Sequence, residues 1–119
     1  MNIELPGPVA RYIEASNAGN RDGLLASFVE DALVNDAQRE FRGTAAILTW
    51  AEREIFGANV VMRVERADDH HDLIVVLARV EGTFPKAGLP DPLRLTFYFT
   101  LAGDKIASLI ILLNKTSHT

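Results

Sequence analysis

The apolar residues of this chain change their spacing part-way along, and that change limits the fold more than any other feature. Up to Phe56 they recur every three or four positions, and from Val60 onward they alternate. Leu93, Leu95, Phe97, Phe99 and Leu101 fall on one face of an extended segment, because successive side chains of a strand point to opposite sides. Helices early and strands late, within 119 residues, predict one α+β domain in which helices pack on one side of a sheet.

Helix one follows Pro6-Gly7-Pro8, buries Val9, Tyr12, Ile13 and Ser16 at helical spacing, and stops at Asn17-Ala18-Gly19. Asn20 caps a short second helix with Leu24, Leu25 and Phe28 on its buried stripe, ending near Val29-Glu30. Ala32 to Asp36 reads as a short strand and Asp36-Ala37-Gln38-Arg39 as the turn behind it. A third helix runs from Ala45 to Phe56, with Ile47, Trp50, Ala51 and Ile55 on one face and Gly57 as its stop.

Val60 to Glu65, a polar turn Asp68-Asp69-His70-His71-Asp72 and Leu73 to Phe84 form a long hairpin. A loop rich in proline, Pro85 to Pro92, leads to the strand ending at Leu101, and Ala102-Gly103-Asp104 turns the chain into the last strand, Lys105 to Leu113. The expected sheet is mostly antiparallel and strongly curved, with the helices closing one side of a cone. Alternation is weak where Leu73, Val75 and Leu77 stand opposite Ile74, Val76 and Ala78, and where Leu109, Ile111 and Leu113 stand opposite Ile110 and Leu112. Both faces of those strands need cover, so the convex face is expected to pair with a second copy as a homodimer.

Composition removes several function classes. The net charge of −4 carries no basic stripe, which argues against nucleic acid as a partner. There is no cysteine, hence no disulfide frame and no thiolate ligand or nucleophile. No apolar run reaches the length of about 18 residues that a membrane span needs, and the first residues do not read as a secretory leader, so a cytoplasmic protein is expected. His70 and His71 are adjacent in a tight turn and point apart, and His118 stands far off in the tail, so neither a metal nor a cofactor is expected.

Two residues are the candidates for chemistry. A carboxylate at the edge of an apolar cavity is a better base than one in water, and Asp36 stands at a strand end, where a side chain can enter a cavity mouth. Tyr12 faces inward from helix one and can donate to an oxygen that gains negative charge. Asp36 equally suits the turn it opens, and Tyr12 a core position with a satisfied hydroxyl. Phe28, Trp50, Phe84, Leu95, Phe97 and Phe99 are the expected apolar wall for a small molecule, with Arg53 and Glu54 candidates for its rim and Arg39 a cation that could lie beside Asp36.

The run from Arg11 to Asp36 resembles the N-terminal part of the ketosteroid isomerases, members of the NTF2-like (SnoaL-like) superfamily. The resemblance lies in Arg11-Tyr12, Asn17-Ala18-Gly19, Asp22-Gly23, Phe28, Asp31-Ala32, Val34 and Asp36. It implies an NTF2-like cone, Tyr12 as the hydrogen-bond donor to the forming oxyanion and Asp36 as the base that removes an α proton. The family's acid on its fifth strand has no counterpart, since Thr96 or Phe97 falls there, with Phe97 favoured because it shares the face of Leu95 and Phe99. The tyrosine that supports the oxyanion donor in some relatives falls at Ala51. Gly43-Thr44-Ala45-Ala46-Ile47 with Trp50, Gly82-Thr83-Phe84-Pro85 and Asp104-Lys105-Ile106 resemble general SnoaL-like sequence. The superfamily includes isomerases, dehydratases, epoxide hydrolases, polyketide cyclases and proteins that only bind or associate. The expectation is therefore an isomerase-like acid/base enzyme, or a ligand-binding or dimerisation module on the same fold.

Overall fold

The computed structural model describes residues 4–113; Met1, Asn2, Ile3 and His118 lie outside them. Helix α1 (Gly7–Ala18) carries Pro8 in its first turn, where the missing N–H costs nothing, and closes on Gly19 at φ 70°. Helix α2 (Arg21–Ala26) starts at Asn20, whose side chain accepts from the Gly23 amide at 3.0 Å. Strands β1 (Phe28–Asp36) and β2 (Arg39–Arg42) form a hairpin before helix α3 (Thr44–Ala51). The third helix continues as a wider π turn over Glu52–Phe56, in which Gly57 N donates to Glu52 O, five residues back, at 2.9 Å. Strands β3 (Val61–His70), β4 (Leu73–Glu81), β5 (Arg94–Ala102) and β6 (Lys105–Leu113) complete the chain.

The six strands lie in the order β2-β1-β6-β5-β4-β3. Every neighbouring pair is antiparallel except β1 and β6, which run parallel. Register shifts in β1, β3 and β5–β6 bend the sheet, which curls around the helices. On its inner face Ile74 pairs with Phe99 and Val76 with Phe97, while Val34 sits across from Leu109, all buried. Helices α1 and α3 close this face with Val9, Tyr12, Ile13, Ile47 and Trp50. Two anchors fix α1 over the sheet. Asn17 exchanges both hydrogen bonds with the Met62 backbone, at 2.8 and 2.9 Å, and Arg11 reaches Asp104 O at 2.8 Å.

The structure corrects four expectations. Phe28 belongs to β1, not α2: the helix stops at Ala26, and Ser27 O accepts from Ile106 N at 2.8 Å, so the parallel ladder to β6 captures the chain four residues before Ala32. Strand β2 has a polar sequence in which only Phe41 turns inward, and the loop before it places Ala37 and Gln38 at φ 54° and 72° without the usual glycine or asparagine. Because this hairpin separates α2 from α3, the three helices are not consecutive at the N-terminus. Asp68 to His70 lie in β3, an edge strand whose polar side chains face water, and the turn shrinks to His71-Asp72.

Candidate active site

A cavity of about 650 Å³ opens between the inner sheet face, α1, the third helix and the loop after β4. Each candidate side chain reaches it for a local reason. Tyr12 sits on the buried stripe of α1, its ring edge-on to Phe28 and Phe99 at 5.7 and 5.5 Å, and its residue is among those that border the cavity. Burial, and secondarily the charge of Asp36, push its phenol well above the ordinary tyrosine range. The group therefore stays protonated, the state in which it can donate.

Asp36 ends β1, opposite Arg39 in the hairpin and Ile111 on β6. Its Oδ2 accepts from Trp50 Nε1 at 3.0 Å and from the Arg39 guanidinium at 3.3 Å. Arg39 also donates to both carboxylate oxygens of Glu54, at 3.3 and 3.4 Å. Its hydrogen bond to Glu54 raises the guanidinium above its ordinary pKa, against the opposing effect of desolvation and with smaller contributions from the charges of Glu54 and Asp36. Arg39, Arg53 and Glu54 border the mouth, so a charged rim leads into an apolar interior.

Of the six wall residues expected from sequence, Trp50, Phe84, Leu95 and Phe97 border the cavity. Phe28 and Phe99 do not; they lie behind the wall, packed on Tyr12. Their role in the structure is core support, because strand β1 starts at Phe28 and Tyr12 fills the space in front of both rings. Phe97, not Thr96, takes the inward position on β5, while Thr96 stands beside Leu77 and Leu112 on the opposite face. Ala51 is fully buried. Sequence reasoning missed Ser16, Met62, Val80 and Ile111 as wall residues. Their period on the inner faces marked them as core, and nothing in a period separates core from cavity wall. Among the described residues no group of three or more His, Cys, Asp or Glu side chains could hold a metal ion.

The model for SnoaL-like domains matches residues 9–109. The chain belongs to the SnoaL-like family. A candidate polyketide cyclase from Sinorhizobium meliloti shares 33% identity with this SnoaL-like chain, over 90% of it and 94% of the other protein, with a TM-score of 0.82. The orange carotenoid protein of Anabaena (Nostoc) sp., solved binding canthaxanthin, is 26% identical over 95% of this chain and 38% of its own, with a TM-score of 0.78. A candidate ketosteroid isomerase from Kribbella flavida shares the fold at 11% identity, TM-score 0.76, over 94% and 78% of the two chains. Among curated proteins none matches. No helix of the described residues in the SnoaL-like chain is long and apolar enough to cross a membrane.

Proposed function

We propose that this chain is an acid/base enzyme that enolises an apolar, carbonyl-bearing small molecule. Asp36 takes the α proton, the C–H electron pair becomes the new C=C bond, and the carbonyl π pair moves onto oxygen, where Tyr12 donates a hydrogen bond. Returning the proton to a farther carbon of a conjugated enolate isomerises the substrate; alternatively the enolate carbon attacks a second carbonyl, whose π pair moves onto its oxygen, and the proton held by Asp36 passes to that alkoxide as the ring closes. Neither route involves net oxidation, so the chemistry requires no electron carrier. The observation that carries this reading is that Tyr12 and Asp36 border one open cavity with an apolar interior. The likeness to a candidate polyketide cyclase at 33% identity supports a carbonyl substrate.

The test is α-hydrogen exchange into deuterated water for a panel of cyclic ketones, followed by NMR. Exchange is expected to exceed that in carboxylate buffer, to fall at least about 100-fold in Asp36→Asn, and to fall about 100-fold in Tyr12→Phe. Equal exchange by Asp36→Asn and the unaltered protein would defeat the proposal.

A second reading is a ligand-holding module without turnover. The observation in its favour is that Arg39 and Trp50 both occupy Asp36 Oδ2, while the cavity wall on β5 is Leu95 and Phe97, with no acid. Binding of ketones without exchange is its signature. Under both readings we propose a homodimer through the outer sheet face, where Leu73, Ile110 and Leu112 are each about 40% exposed.

A further inference from the structure

Ser16 Oγ is the single buried side-chain polar atom of the described residues without a hydrogen-bond partner, and the residue is 2% exposed. Two other hydroxyls in or beside helices bond to the backbone four residues back: Ser27 donates to Gly23 O at 3.0 Å and Thr49 to Ala45 O at 3.1 Å. The equivalent acceptor for Ser16 is Tyr12 O, and it is not used. A buried hydroxyl left unpaired opposes folding, whereas alanine would fill the same wall without that cost.

The position of Ser16 gives the hydroxyl a use. Ser16 borders the same cavity as Tyr12, one turn farther along the same face of α1. Its Oγ is closed off from water in the conformation described, and a change of staggered position about Cα–Cβ brings it to the cavity that the residue borders. The charged groups of the cavity, Asp36, Arg39, Arg53 and Glu54, all lie on the β1–β2 hairpin and the third helix, leaving α1 with two neutral hydroxyls.

We infer that Ser16 is a specificity-determining residue whose hydroxyl holds a second oxygen of the bound molecule, beside the oxygen engaged by Tyr12. The inference rests on the cavity being the substrate site, as proposed above. It assigns the ligand to a class: an apolar ring or chain with two uncharged oxygen functions, carbonyl or hydroxyl, on the edge facing α1. A carboxylate or phosphate does not fit that edge, because a buried charge needs a counter-charge there. A serine hydroxyl both donates and accepts, so it serves a carbonyl and a hydroxyl alike.

The probes are 2-naphthol, with one oxygen, and 2,6- and 2,7-dihydroxynaphthalene, with two. Trp50 is the sole tryptophan and borders the cavity, so its fluorescence reports binding. The unaltered protein is expected to bind the better diol about tenfold more tightly than 2-naphthol, the effect of one added hydrogen bond. Ser16→Ala should erase that preference and leave 2-naphthol within about twofold, while Ser16→Thr keeps it. The urea midpoint of Ser16→Ala should equal or exceed that of the parent, by up to roughly 0.5 M, because no native bond is lost. A preference that survives Ser16→Ala, an equal loss for all three probes, or a lowered midpoint each overturns the inference. Tyr12→Phe separates this outcome from failure of the wider reading. If Tyr12→Phe weakens every probe and the Ser16 arm fails, only the inference falls. If no probe binds, or none depends on Tyr12, the cavity is not the substrate site and both fall.

Discussion

Trp50 Nε1 donates to Asp36 Oδ2 across 3.0 Å, joining the third helix to the end of the first strand. The bond sets the carboxylate at the cavity edge and gives a nearly fully buried indole its polar partner. Trp50→Phe keeps an aromatic ring but removes the donor and some volume. It is expected to cost about 2–3 kcal/mol in urea unfolding and to slow α-hydrogen exchange about tenfold, with little change in KM. An unchanged rate would show that Asp36 is held by Arg39 alone.

Alkaline stability reports on Tyr12. Its folded phenol is raised above the unfolded value near 10.0, so below that pH both states hold the proton and the contribution is fully present. Above it the unfolded chain ionises while the native protein does not, and stability declines by up to about 1.4 kcal/mol per pH unit. Urea midpoints measured from pH 8 to about pH 11.5 should fall on this limb, and Tyr12→Phe should flatten it. A limb unchanged by Tyr12→Phe would place the phenol in solvent.

The β1–β2 loop holds Gln38 at φ 72°, exposed and without the freedom that glycine has there. Gln38→Gly removes the left-handed strain at the cost of some backbone entropy, so a net gain of about 0.5–1 kcal/mol is expected in urea unfolding. A loss of stability would mean that the glutamine side chain contributes more than its backbone costs.

The proposed dimer has a direct check in the outer sheet face. Light scattering at micromolar concentration should return twice the chain mass, and Leu112→Glu, on β6 beside Ile110, should return the monomer mass with unchanged circular dichroism. A monomer mass for the unaltered protein would end the proposal.

The helix stops and the strand faces were legible in the chain. Gly19 and Asn20 do at the α1–α2 junction what their backbone chemistry predicts, and the alternation of Leu95, Phe97 and Phe99 marks the inner face of β5. The turn from Asp36 to Arg39 was legible as well, but strand β2 after it was not, because it is short and polar and only Phe41 turns inward. Tyr12 and Asp36 were named from the resemblance of the run Arg11 to Asp36 to the ketosteroid isomerases, with an inward helix face and a strand end that suit those roles. Their surroundings were decided by contacts distant in the chain. Arg39 and Trp50 converge on one carboxylate oxygen only after β1, β2 and the third helix have packed. Phe28 and Phe99 are support while Phe97 is wall, although all three share an apolar character, because the ring of Tyr12 stands in front of the first two. Local sequence sets which face of an element avoids water; whether that face meets protein or empty space depends on the volume of every side chain brought opposite it, and only the packed tertiary structure fixes that.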